Sequence, residues 1–120
     1  MKSKLNYEYD YEYDLIDISI VESAKYEKSI DISNGIILDL DENAFPAALE
    51  IISASKILGI DKQYLESPNI DMTIVISVEL ICIEVKLTYF ESKHEQDVFF
   101  KQNIANNYGI PAMETIFSTA

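Results

Sequence analysis

The sequence predicts an α+β fold in which an antiparallel β-meander and a short helix precede a second β-hairpin and a C-terminal helix. Three observations support this. Apolar and polar residues alternate over long stretches, an Asn-Gly pair at residues 34–35 marks a tight turn, and residues 92–111 carry apolar residues at helical spacing. With 120 residues we expect one domain, in which residues 1–66 hold the meander and first helix and residues 70–120 the hairpin and second helix.

Composition restricts the class of protein. The chain has 21 acidic residues against 9 basic ones, all of them lysine, and its net charge of -12 is spread over both halves. Proteins that bind nucleic acids need cationic surface, so we expect no such partner. Cys82 is the only cysteine, which excludes an internal disulfide and suits a reducing compartment. Charged residues interrupt the longest apolar region, 72–90, so we expect no membrane span and a cytoplasmic location.

Tyrosines alternate with acidic residues near the start of the chain. They occupy the odd positions Tyr7, Tyr9, Tyr11 and Tyr13, which is typical of a half-buried strand. From Leu15 onward, isoleucines occupy the even positions, so a turn or bulge is expected within residues 10–14. The alternative interpretation of the four tyrosines is an aromatic contact surface, and they are our candidate interaction surface.

The Asn-Gly pair predicts a hairpin whose register follows from the apolar pattern. A two-residue loop would oppose Ile30 to Asp39 and mix the two faces. A three-residue loop, Ser33–Gly35, opposes Ile30 to Leu38 and Ile32 to Ile36 and keeps the apolar residues together. It also places Gly35 at the left-handed position that this loop type requires.

The segment DLDENAFPAALE, residues 39–50, comes close to a calcium-binding loop. The candidate ligands are Asp39, Asp41, Asn43 and Glu50. A calcium loop needs flanking helices and a glycine at its sharp turn, whereas these flanks are strand-like and Ala44 occupies the glycine position. We therefore predict a hairpin with the loop at residues 41–44, Leu38 opposite Ala47, and no bound metal or other cofactor.

The stretches YDYEYDLIDISI, residues 9–20, and NGIILDLDENAFPAALEIISAS, residues 34–55, resemble the prokaryotic domain-of-unknown-function family numbered 2283. The positions on its pattern are Tyr9, Asp10, Asp14, Gly35, Asp39, Asp41, Glu50, Ile51, Ala54 and Ser55. Ala44 and Ala48 replace two of its glycines, and Asp17 replaces a tyrosine. The resemblance covers residues 1–58. It implies a small antiparallel sheet followed by a helix, no assigned reaction, and members that are sometimes suspected of pairing with toxin-like partners.

Two further short helical segments and a second hairpin follow. SASKILGI predicts a helix ended by Gly59, and DKQYLE predicts another turn before the Ser-Pro pair at 67–68. In residues 71–90 the apolar residues change from even to odd positions, which predicts a hairpin turning at Glu79-Leu80 with Val78 opposite Ile81. One strand with a bulge remains the alternative.

The segment SKHEQDVFFKQNIANNYGIP predicts the C-terminal helix. Ser92 and Glu95 have the spacing of a capping box, and apolar residues recur every four positions at Phe100, Ile104 and Tyr108. A glycine and a proline at 109 and 111 would end the helix. The structure of residues 111–120 stays ambiguous.

Side chains suited to catalysis are few. The only histidine, His94, is expected to be exposed, and Cys82 is expected to be a small filler without a basic neighbour. Four aspartates, Asp10, Asp14, Asp39 and Asp41, are candidates for paired carboxylates, but their nearest bases in sequence are Lys25 and Lys28 and no histidine accompanies them. We predict no catalytic, cofactor-binding or metal site.

These features favour a small, non-enzymatic cytoplasmic protein that acts by self-association or protein binding. Strand edges exposed in so short a chain make a homodimer the expected form. The alternative is an acidic, antitoxin-like or inhibitor protein that masks a basic partner. A metal-dependent hydrolase using clustered carboxylates ranks third.

Overall fold

The computed structural model describes residues 2–22 and 24–119. In these residues nine strands form one curled, mixed sheet with the shape of a half-barrel, in the order β3-β4-β5-β2-β1-β9-β6-β7-β8. The strands are β1 (Lys2–Asp10), β2 (Leu15–Ile20), β3 (Tyr26–Ser33), β4 (Ile36–Asp41), β5 (Pro46–Ile51), β6 (Asn69–Ile76), β7 (Leu80–Glu91), β8 (His94–Ala105) and β9 (Met113–Ser118). A short helix, α1 (Ala54–Leu58), and a 3-10 helix (Lys62–Leu65) connect β5 to β6.

The predicted α+β class is wrong, because the fold is mostly β and the predicted C-terminal helix is absent. Residues 94–105 form β8, which pairs with β7 along its whole length. The spacing of Phe100 and Ile104 is a multiple of two as well as a helical interval, so it also suits a strand. Ser92 of the predicted capping pair instead lies in a tight turn with Lys93, in which both residues have positive φ, and Glu95 belongs to β8.

The first two strands confirm the predicted turn within residues 10–14. β1 and β2 pair antiparallel, with Leu5 opposite Ile20 and Tyr9 opposite Ile16. Because the chain reverses over residues 11–14, the odd positions of β1 and the even positions of β2 lie on the same face of the sheet. That inner face forms part of the core.

The hairpin of β3 and β4 is confirmed, but its loop is one residue shorter than predicted. The ladder closes at Ser33 and Ile36, and Gly35 adopts a left-handed φ of 83°. A bulge between Asp31 and Ser33 then restores the predicted pairing of Ile30 with Leu38.

The hairpin of β4 and β5 is also confirmed, with a different register. Leu38 lies opposite Leu49 and not Ala47, because an irregularity at Asp39 and Leu40 shifts the ladder. Apolar residues at every second position satisfy either register, so the alternation alone does not distinguish the two.

Both predicted helical segments are present, and the second hairpin also has a shifted register. Ile76 lies opposite Ile81, and the loop comprises residues 77–79. Val78, which was predicted to pair with Ile81, is in the loop and 85% exposed. The hairpin is therefore correct and the bulged single strand is wrong.

β9 joins the two halves of the sheet. It pairs parallel with β1 through residues 116–118 and antiparallel with β6 along its whole length. The inner faces of both halves contribute to one apolar core, which includes Ile18 and Leu38 from the first half and Ile74 and Ile83 from the second. Within the part of the chain described here, no helix has the length and apolarity needed to cross a membrane.

Candidate functional site

The four tyrosines of the candidate interaction surface have different environments. Tyr7 and Tyr9 are half-buried against the core, whereas Tyr11 and Tyr13 in the turn are 55% and 72% exposed. The Tyr7 hydroxyl donates a hydrogen bond of 2.6 Å to the carbonyl of Leu65. Burial raises the pKa of Tyr7, and the neighbouring Tyr9 and Glu66 raise it further. Tyr7 thus anchors the 3-10 helix, and the exposed part of the row is confined to the turn.

Asp14 is the centre of a buried polar cluster. Its carboxylate accepts hydrogen bonds from the Tyr9 hydroxyl at 2.7 Å, from the Ser55 hydroxyl at 2.6 Å and from the Ser55 backbone N–H at 3.0 Å. Burial acts to raise the pKa of Asp14, but the hydrogen bonds from Ser55 and Tyr9 outweigh it and the pKa lies below its usual value. Asp14 therefore holds the first turn of α1 against the β1–β2 turn.

The chemistry open to this cluster is limited. Ser55 donates its hydroxyl proton to a carboxylate whose pKa is lowered, and a group of this kind is a weak base for activating a nucleophile. The pKa of Tyr9 is raised, first by burial and then by its bond to Asp14, so its hydroxyl stays protonated and acts as a donor. The geometry is that of a structural link.

Asp41 organises the loop that resembles a calcium site. It is 4% exposed, and its Oδ1 accepts the backbone N–H groups of Asn43 at 2.8 Å and Phe45 at 3.1 Å. Its Oδ2 accepts the N–H of Ala24 at 3.4 Å. Among the described residues, no three potential ligands lie close enough together to hold a metal ion.

Four carboxylates form a row on the outer face of the first half of the sheet. Glu8 lies opposite Asp17 on β1 and β2, and Asp17 lies opposite Glu50 on β2 and β5. Asp39 lies diagonally from Glu50 on the neighbouring β4 and accepts a hydrogen bond of 2.6 Å from the Ser29 hydroxyl. We call this set the carboxylate row.

Two members of the carboxylate row, Asp17 and Glu50, have raised pKa values. The pKa of Glu50 is raised to about 7, because Glu50 hydrogen-bonds Asp39, is partly buried, and is repelled by the charges of Asp39 and Asp17. Burial, followed by the charges of Asp39 and Glu8, raises the pKa of Asp17. One carboxylate oxygen of Asp17 is buried and has no hydrogen-bond partner among the described residues. Glu50 is therefore partly protonated near neutral pH.

The remaining sequence candidates lie apart from one another. His94 is exposed beside the β7–β8 turn. Cys82 is partly exposed on the outer face of β7 and donates to Oδ1 of Asn103. Asp10 is exposed and accepts the N–H of Tyr13, and the two lysines at 25 and 28 are exposed. The structure brings Asp14 together with Tyr9 and Ser55, and Asp39 with Glu50, but it does not bring the four candidate aspartates to one place.

The free edge of β8 is the feature that the sequence analysis missed. β8 stands at one end of the sheet order and has a ladder on one side only, with β7. Both β3, at the other end of the sheet, and α1 approach β8, and in the described residues neither forms a ladder with it. On the outer face of β8, Phe99 is 67% exposed. A usable signal was present, because Val98, Phe99 and Phe100 are a run of strand-forming residues.

Comparison with known proteins gives two matches. Residues 6–55, which span β1 to the start of α1, match the family described as protein of unknown function (DUF2283). The chain is 35% identical over 94 residues to an uncharacterized protein of Methanocaldococcus jannaschii, an alignment that covers 77% of this chain and 79% of the relative. This alignment is longer than the family segment and reaches into the second half of the chain. No solved structure matches the chain.

Proposed function

The chain belongs to the family of proteins of unknown function numbered DUF2283, and from this premise we propose that it is a small, non-enzymatic protein that works by associating with a second copy of itself. The observation that carries the proposal is the β8 edge, a strand of 12 residues that forms a ladder on one side only among the residues that the structure describes. Long strand edges pair with other strands unless they are covered, broken or heavily charged.

Charge on the β8 edge supports this choice of surface. The chain as a whole is strongly acidic, which makes two copies repel each other. Between Glu95 and Asn103, however, β8 carries two acids and one base, Lys101, around the exposed ring of Phe99. The edge is therefore less acidic than the carboxylate row on the other half of the sheet. Association through β8 keeps the carboxylate row away from the pairing edge of the second copy.

The polar groups of the interior support a non-enzymatic role. The buried carboxylates of Asp14 and Asp41 accept hydrogen bonds that hold α1 and two turns in place. The Tyr7 and Tyr9 hydroxyls are donors in the same framework. These groups stabilise the fold, and we expect their removal to lower the stability of the protein.

Light scattering during size exclusion tests the proposal. We expect a mass of twice the 13.7-kDa chain, kept or increased at high salt, because salt screens the repulsion between acidic chains. Measurement at about 100 µM detects dimers of modest affinity. Phe99→Lys, which adds a charge to the free edge, should give the chain mass. A matched control is Phe90→Lys, which makes the same change at a ring 62% exposed on β7, where the backbone pairs with Glu95.

Two results would overturn self-association through β8. One is a monomeric wild type at both low and high salt, which would favour the alternative of an acidic protein that covers a basic partner. The other is a dimer that Phe99→Lys and Phe90→Lys affect equally, because the edge would then be irrelevant to it. Thermal melts of both variants verify that they remain folded.

A further inference from the structure

The backbone of β8 alternates between groups that bond to β7 and groups that face away from it. The hairpin turns on Ser92 and Lys93, whose φ values of 49° and 66° are those of a two-residue type I′ turn, and the ladder closes at Glu91 and His94. The closing residues of such a turn exchange two hydrogen bonds, and bonded pairs then recur at every second position. The odd-numbered residues of β8 therefore direct their N–H and C=O groups to the free edge.

The side chains of these odd-numbered residues lie on the outer face. Phe99 is at the centre, with Asp97 two residues before it and Lys101 two residues after it. All three are exposed to solvent. Suppose that two copies of the strand are related by a two-fold axis through a central residue. An acid and a base at equal distances on either side of that residue then lie opposite each other, the acid of one copy facing the base of the other.

We propose that two copies of the chain pair antiparallel along β8 about a two-fold axis at Phe99, with Asp97 of each copy opposite Lys101 of the other. This inference rests on the proposed self-association and specifies its register. The axis is perpendicular to the sheet, so the outer face of one copy continues into the outer face of the other. Opposite charges directly across antiparallel strands attract, and two facing aromatic rings add contact at the centre.

The neighbouring registers also place outer-face residues opposite outer-face residues, but they do not pair Asp97 with Lys101 and Phe99 with Phe99 at the same time. An axis at Val98 opposes Phe99 to Asp97, and an axis at Phe100 opposes Phe99 to Lys101. Only the axis at Phe99 joins the two rings and pairs both charges that flank them. The self-complementarity thus selects one register among those that the backbone allows.

Charges on β7 face the same residues within each copy. The Lys86 ammonium lies 4.0 Å from Oδ2 of Asp97 and 6.0 Å from the centre of the Phe99 ring. Glu84 lies opposite Lys101 in the β7–β8 ladder. A charge reversal on β8 therefore changes contacts within its own chain as well as between copies, and the test must separate the two effects.

Mixing two charge-reversal variants separates the effect on contacts within a chain from the effect on contacts between copies. In Asp97→Lys, two lysines face each other across each half of the proposed interface, and in Lys101→Asp two aspartates do. In a mixed dimer, the introduced lysine faces the introduced aspartate, and the remaining Lys101 faces the remaining Asp97. We expect each variant alone to dimerise about 10-fold more weakly than wild type and their mixture to recover most of that loss. Contacts within each chain are the same whether a variant is measured alone or in the mixture, so recovery on mixing reports contacts between copies.

The outcomes distinguish this inference from the proposed function. If the wild type dimerises but the mixture binds no better than the weaker variant alone, the register is wrong and self-association stands. If the wild type is monomeric, the proposed function fails. If the wild type dimerises and Phe99→Lys leaves it a dimer, association uses a surface other than the β8 edge.

A disulfide at the axis gives an independent measurement if a charge variant does not fold. In a Cys82→Ser background, Phe99→Cys places two thiols at the two-fold axis, where the Cα atoms of a bonded antiparallel pair are about 5.5 Å apart, within disulfide range. We expect a covalent dimer on mild oxidation. Asn103→Cys is the control on the same face, because its two copies would lie about 27 Å apart in this register. Equal cross-linking of both variants, or none at Phe99→Cys, would overturn the register.

Discussion

At the scale of single residues, the positions that resemble the family pattern are largely those that hold turns. Tyr9, Asp14 and Ser55 are all on that pattern, and they meet in one hydrogen-bonded cluster. Asp14 adopts a left-handed φ of 54°, a conformation that costs an aspartate less than most residues. The strain is offset by the bonds its carboxylate accepts. The sequence alone showed Asp14 only as one of four candidates for paired carboxylates, because it carries no information on which side chain each aspartate would meet.

Glu50 makes the stability of the protein depend on pH. Its pKa is raised from 4.5 to about 7 on folding, so the folded state holds more protons than the unfolded state between these values. The stabilisation is complete below the lower value and is lost as pH rises through about 7. Glu50→Gln cannot ionise, and it keeps an amide donor for Asp39. We expect its melting temperature to match wild type near about pH 4 and to exceed it by a few degrees near about pH 8.

Melting curves at several pH values measure this difference. Glu12→Gln is the control, because it removes the same charge from the exposed turn between β1 and β2. Its melting temperature relative to wild type should change little with pH. A Glu50→Gln variant that is less stable than wild type at high pH would contradict the raised pKa.

At the scale of elements, the sequence predicted where most strands and turns lie but not the registers of two hairpins. The turn within residues 10–14, the hairpins near residues 34 and 43 and the helix after Ser53 are all present. The pairing of Leu38 and of Ile81 was wrong by two residues, since period-two patterns are unchanged by a shift of two. Such shifts are decided by bulges and loop bonds that the alternation does not encode.

The error at β8 has a different physical cause. In residues 94–105 the outer face is exposed and the inner face is only partly buried, from Val98 onward, so few of them carry the alternating apolar signal of the other strands. Without its partner β7, the segment has ambiguous periodicity, and the Ser92–Glu95 pair favours a helix start. Pairing with β7 provides the hydrogen bonds that outweigh this local preference. The candidate surface depends on this strand, so it was missed as well.

Two glycines with left-handed backbones separate the effect of strain from that of close packing. Gly35 has φ 83°, and a Cβ there would lie 3.1 Å from the carbonyl oxygen of Ile52 and 3.1 Å from Cδ1 of Ile57. Gly59 has φ 70°, and a Cβ there would meet nothing within 4 Å. We expect Gly59→Ala to cost about 1 kcal/mol through backbone strain and Gly35→Ala about 2–3 kcal/mol through strain plus crowding. Denaturant unfolding measures both, and equal losses would contradict the close contact between the β3–β4 loop and α1.

At the scale of the whole molecule, the last strand connects the two halves. β9 lies between β1 and β6, so the ladder is continuous from the family segment to the C-terminal hairpins. Its side chains also enter the shared core, where Phe117 is 3% exposed. A continuous sheet over one core favours cooperative unfolding, because neither half can expose its inner face without uncovering that of the other.

Phe117→Ala tests this cooperativity. Loss of a buried phenyl ring should cost about 3–5 kcal/mol. If the sheet unfolds as a unit, hydrogen exchange should report the same loss for slowly exchanging amides of β4 in the first half and β7 in the second, since both exchange through global unfolding. Ile116→Ala is the matched control, because Ile116 precedes Phe117 on the same strand and is 47% exposed, and it should cost less than about 1 kcal/mol. Faster exchange in β7 with unchanged exchange in β4 would show that the first half remains folded alone, and the shared core would then not couple the two.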